Sequence, residues 1–188
     1  MNKNSSYWLG EIRDKNSFNL IELANTQRAI TNFVKIQTGK DIPVEFYENN
    51  MGDSMTNGKS ITISSTINTH NLDSVVGLAL HESAHCIYTN FNVLKTLGNR
   101  LASDNLLGAR ISVELLINFI EDRRIDDLVY KKAPGYQGYY RSMYERYFYN
   151  KTVDKALKSE KYREENWESY LFRIINIFNK NTNLDALV

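Results

Sequence analysis

The alternation of apolar and polar positions predicts a mainly helical chain with a small sheet in its first half. Over residues 18–38, Leu20, Leu23, Ala24, Ile30, Phe33 and Val34 recur at close to helical spacing, and Gly39 follows as a C-terminal stop. Residues 43–47 read as a short strand with Val44 and Phe46 on one face. Residues 60–64 alternate polar and apolar, as a half-buried strand does. Between them, 49–59 reads as a loop containing Gly52 and the turn pair Asn57-Gly58. A polar connection at 68–71 follows, with Asn71 or Asp73 placed to cap the next helix. That helix is expected over 72–97, broken by Gly98 and Asn99.

A third long helix is expected from a cap at Asp104 to near Lys131. Its inner face would use Leu107, Ile111, Leu115, Asn118 and Asp122, flanked by Val113, Leu116 and Ile120. Pro134-Gly135 stops it. Beyond that turn, 139–150 and 167–178 read as helices, the second with Leu171, Ile174, Ile175 and Phe178 as its apolar stripe. The charged stretch 151–165 between them reads as a solvated helix or loop. The expected fold class is therefore α+β and mainly helical: one domain over 1–188, with a helix–sheet–helix part over 1–98 and a helical part over 99–188.

Composition narrows the partners. At 188 residues the chain can bury a core without disulfides. Its 23 basic and 22 acidic residues give a net charge of +1, so no nucleic-acid partner is expected. No run approaches about eighteen apolar residues, so no membrane span is expected. The first residues are polar, apart from anchors at Trp8 and Leu9, and do not resemble a signal peptide. Cys86 is the one cysteine, which excludes an internal disulfide and suits a reducing compartment. A cytoplasmic location is the expectation.

The second predicted helix carries His81-Glu82-Ser83-Ala84-His85. Residues four apart lie on one helix face, so two imidazoles at this spacing can bind one Zn²⁺. Glu82 then projects beside the metal, placed to take a proton from a water there. Cys86 points about 100° away from His85 and reads as a small core residue.

Catalytic zinc normally has three protein ligands. A continuation of the metzincin type would need a glycine at 88 and a histidine at 91, where this chain has Tyr88 and Phe91. His70 lies in a polar loop, and ligands are usually held on rigid elements. A carboxylate on the third helix is therefore expected, and Glu121 and Asp122 compete for the role. They point about 100° apart, so one of them is the ligand. Glu121 is preferred because its longer arm reaches more readily between two helices. Asn118, Asp122 and Asp126 form a polar stripe at i, i+4 and i+8, and a stripe crossing a core needs partners. One role for it is to hold the outer N–H of a zinc-bound imidazole, and another is an ion pair with Arg123 or Arg124. The bland alternative is a charged, solvated helix surface.

With these residues the chain resembles the gluzincin metallopeptidases, which carry H-E-x-x-H on one helix and a glutamate ligand on a later one. It is most similar to small zincin-type proteins of phages and bacteria. Some of those are attached to von Willebrand A-type domains, and they carry a downstream N-x-x-E-D-x-R pattern, matched by Asn118, Glu121, Asp122 and Arg124. The resemblance covers roughly 20–135. It implies a zincin-like fold with a small sheet, a metal-site helix and a ligand helix. It also implies that Ile61–Ser64 is the sheet edge lining a substrate cleft. In the common gluzincin pattern an Asp follows the ligand Glu by four residues. Here that position is Ile125, and the i+4 acid follows Asp122 instead, as Asp126.

The expected function is a zinc-dependent metallopeptidase with His81, His85 and Glu121 as zinc ligands and Glu82 as general base. Its partners would be a peptide or protein substrate and, by resemblance, a von Willebrand A-type protein. The transition-state oxyanion needs a further donor, and Tyr130, Tyr136, Tyr139 and Tyr140 follow the ligand helix, although such aromatics usually pack. The alternative is a zincin-like structural or protein-binding module. The Tyr- and Arg-rich stretch 136–149 would be its contact surface.

Overall fold

A computed structural model describes residues 20–47, 54–64, 67, 70–103, 107–149, 151–159 and 162–176; the side chains of 20–22, 64, 101–103, 107–112 and 175 are outside the description. Trp8, Leu9, Asp104 and Phe178 therefore lie outside the described residues, as do Leu107, Ile111 and Ile175 as packing residues. The fold is α+β and mainly helical, with one small three-stranded sheet. Among the described residues, no helix is long and apolar enough to cross a membrane.

The chain divides into two compact units, Met1–Phe91 with Arg124–Met143, and Asn92–Arg123 with Tyr144–Val188. The first described element of the first unit is α1 (Leu20–Thr38), whose Thr26, Ile30 and Val34 are buried one turn apart. Gly39 ends it at φ 67°, and its N–H bonds to Lys35 O at 2.8 Å, the left-handed stop that glycine adopts without strain. β1 (Val44–Tyr47) follows, then β2 (Met55–Thr56) and β3 (Ile61–Ser64). The sheet order is β1-β3-β2, with β1 parallel and β2 antiparallel to β3.

Two expectations change here. The stretch read as loop over 49–59 contains β2, which pairs Met55 with Thr62 and Thr56 with Ile61. Asn57 Oδ1 accepts the N–H groups of Lys59 and Ser60 and closes the turn back into β3. Ile61–Ser64 is consequently the central strand, not the sheet edge. It buries Ile61 and Ile63 completely, as its alternation requires.

α2 (Leu72–Tyr88) lies against α1, the sheet and α5 (Gln137–Met143). Every residue from Leu72 to His85 is buried, so polar side chains on this helix must be partnered inside the protein. Gly77 sets the distance to α5: a Cβ there would stand 2.5 Å from Tyr139 O and 2.7 Å from Met143 Cβ. The helix expected over 72–97 is two. α2 stops at Thr89, whose backbone is extended (φ −89°, ψ 131°), and α3 (Phe91–Ser103) begins after Asn90. Gly98 and Asn99 do not break the chain; they lie within α3. The break falls at a β-branched residue and an Asn, both poor in helix interiors.

α4 (Leu107–Lys132) is one continuous helix that belongs to the second unit up to Arg123 and to the first from Arg124. Its buried positions are Phe119, Asp122, Ile125, Asp126 and Val129, while Leu115 and Ile120 are more than half exposed and Asn118 is exposed. The inner face is thus rotated from the one expected. In the second unit, the Arg123 guanidinium lies 5.0 Å over Phe119, 4.3 Å over Tyr144 and 5.2 Å over Phe148. That unit also holds a π-helical turn (Tyr144–Phe148), α6 (Lys151–Leu157) and α7 (Trp167–Asn176), where Asn166 Oδ1 caps α7 at Ser169 N–H.

A candidate metal centre on α2 and α4

The site grows out of the buried end of α2. His81 and His85, one turn apart, have ring centroids 4.9 Å from each other with the planes at 90°. Both are buried, and so is Glu82 between them in sequence. Buried polar side chains such as these need partners to offset their lost hydration.

His81 finds one on α4. Its Nδ1 lies 2.7 Å from Asp126 Oδ1, both residues buried. A neutral imidazole that donates from Nδ1 to this carboxylate keeps its lone pair on Nε2. His85 finds its partner on its own helix: Nδ1 is 2.9 Å from Thr89 Oγ1. Nδ1 of each ring is thus engaged by a side chain of the protein. This is how metal-binding histidines are commonly oriented.

The third donor follows from helix geometry. Asp122 precedes Asp126 by one turn of α4, on the same buried face. One ligand atom each from His81, His85 and Asp122 all lie within 4.8 Å of one another, and all three residues are buried. Among the described residues, this is the group of histidine, cysteine or carboxylate side chains able to hold a metal ion. The donor set, two imidazoles and one carboxylate, suits a borderline divalent ion.

Glu121, preferred on arm length, sits on the next position of α4, half-buried, and the group within 4.8 Å contains Asp122 rather than Glu121. Asp122 and Asp126 share the four-residue spacing of His81 and His85. Thr89 was missed altogether, although a hydroxyl four residues after His85 had the spacing to reach its ring. His70 is an exposed turn residue outside the group. Arg124, matched to the expected downstream pattern, donates from Nη2 to Tyr88 O at 2.8 Å and so ties α4 to the end of α2.

Cys86 is half-buried, and its Sγ lies 3.2 Å from Thr56 Oγ1 on β2. Burial raises the thiol pKa, Thr56 opposes that shift, and Glu82 one turn back adds to it. The face of α2 that carries Glu82 is therefore the face toward β2.

The tyrosines proposed as oxyanion donors mostly pack. Tyr139 is buried edge-on against Phe33 at 5.4 Å, and Tyr136 meets the same ring at 6.2 Å. Burial raises the Tyr136 pKa. Tyr130 Oη accepts from Arg141 at 3.2 Å. No known protein-family model, no curated protein and no solved structure matches this chain.

Proposed function

We propose that the chain is a zinc-dependent metallopeptidase of the zincin kind, with His81, His85 and Asp122 holding Zn²⁺ and Glu82 as general base. The supporting observation is the convergence of those three donors within 4.8 Å, with Glu82 buried on the helix that carries both histidines. Three protein ligands with an open fourth position are the pattern of catalytic zinc, whereas structural zinc sites are closed by four. An ion bound there would polarise a carbonyl oxygen and bring the pKa of a water toward about 7.

The chain's own residues supply the rest. Glu82 accepts a proton from the attacking water and delivers it to the leaving amine. Asp126 and Thr89 fix the ring orientations of His81 and His85, so no reorganisation is needed as the reaction proceeds. Burial of Glu82 and Asp126 strengthens each of these electrostatic contacts relative to water.

Replacing Glu82 by Gln tests the reading. The variant should bind about one zinc per chain, like the parent, and cleave peptides about 10²- to 10⁴-fold more slowly. Equal cleavage by parent and variant would remove Glu82 from the mechanism. A zinc-loaded parent inert toward a diverse peptide library would favour a metal-stabilised binding module instead.

A further inference from the structure

Arg124 is linked to the candidate metal centre through a single peptide group. Tyr88 is the last residue of α2, and the last carbonyls of a helix have no amide partner within it. The Tyr88 carbonyl accepts a hydrogen bond from Arg124 Nη2 on α4 at 2.8 Å. That carbonyl and the Thr89 N–H are the two ends of one planar peptide unit. The N–H end donates to His85 O at 3.0 Å. The unit is thus held from α4 at one end and from α2 at the other. The Thr89 side chain leaves the Cα that follows this unit, and its Oγ1 lies 2.9 Å from His85 Nδ1. Threonine is branched at Cβ and stiff at χ1, so fixing the peptide restricts where the hydroxyl can lie. A second contact from the same helix bears on Tyr88: Lys132 Nζ lies 4.9 Å over its ring.

We infer that Arg124 is a positioning residue of the metal centre: by holding the Tyr88–Thr89 peptide it keeps the Thr89 hydroxyl against the His85 ring. Both histidine rings are then oriented from α4, His81 directly by Asp126 at 2.7 Å and His85 by Arg124 through Thr89. The inference rests on the metal-site reading above. Charge alone predicts the opposite effect. A guanidinium near a divalent cation repels it, so removing that charge would tighten zinc binding. Removing a support of a ligand ring weakens zinc binding instead. The sign of the change therefore separates the two roles.

The test compares zinc dissociation constants, measured by competition with a chromogenic chelator, for the full chain and for Arg124→Met, Arg124→Lys, Thr89→Val and Arg124→Met with Thr89→Val. Thermal unfolding of the metal-free forms runs alongside. Arg124 is exposed, so the metal-free Arg124→Met protein should melt near the parent. Its zinc binding should weaken several-fold, up to the loss of about 10-fold expected when the Thr89 hydroxyl itself is removed. Arg124→Lys keeps a cation with N–H donors and should recover part of that loss. The double variant should bind zinc no more weakly than Thr89→Val alone, because Arg124 acts through that hydroxyl. Three results would each overturn the positioning role and leave the metal site standing: unchanged or tighter zinc binding in Arg124→Met, a loss that lysine does not reduce, or losses that add in the double variant. A folded parent that binds no zinc would overturn the metal site and the positioning role together.

Discussion

Thr89 ends α2 and holds His85: its Oγ1 lies 2.9 Å from Nδ1 of a ring one helical turn earlier. The same residue gives its backbone N–H to His85 O at 3.0 Å. The stop signal of the helix and the support of a candidate ligand are thus one side chain. Thr89→Val preserves shape and β-branching but removes the hydroxyl. It should weaken zinc binding about 10-fold, and Thr89→Ser should restore most of it. Chelator competition on the three proteins reads this directly; equal affinities would mean that the ring needs no such support.

The identity of the third ligand separates two neighbouring acids. Asp122→Asn should abolish tight zinc binding, whereas Glu121→Gln should leave about one zinc per chain after gel filtration. Metal analysis of both variants decides it. Retention by Asp122→Asn with loss in Glu121→Gln would restore the longer-armed residue.

Much of this site was legible in the sequence, for a physical reason. Four-residue spacing survives any tertiary context, so His81 and His85 had to share a face once α2 formed. Which acid of α4 meets them depends on the rotation of that helix. Periodicity leaves this open when apolar residues flank the polar run on several sides. Leu115 and Ile120 looked like core and are exposed, while Phe119, Ile125 and Val129 are buried. The pairing of Asp126 with His81 fixes that rotation and carries Asp122 with it. β2 was not legible, because a two-residue strand has no period to read and its turn residues suit a loop equally well.

Close packing of α2 on α5 gives a stability prediction. A methyl group at Gly77 would meet the backbone oxygen of Tyr139 at 2.5 Å, and a backbone atom cannot swing aside. Overpacking of this kind costs about 1–3 kcal/mol, against a helix-propensity gain of up to about 1 kcal/mol for Gly to Ala. Gly77→Ala should therefore lower the melting temperature by a few degrees, and a bulkier valine should lower it further. A Gly77→Ala protein more stable than the parent would show that the helices separate freely.

Tyr140 also sets an alkaline limit. Its folded-state pKa is raised by burial and by Asp126, while the unfolded chain releases the same proton near pH 10. Above that pH the unfolded state has lost a proton that the folded state retains, so stability falls as pH rises. The slope from this one group approaches about 1.4 kcal/mol per pH unit. Below pH 10 the phenol is neutral in both states and contributes no slope. Urea unfolding at pH 9 and pH 11 should show the parent losing more stability than Tyr140→Phe, which has no proton to release. Parallel losses in the two proteins would mean that Tyr140 ionises in the folded state as readily as in water.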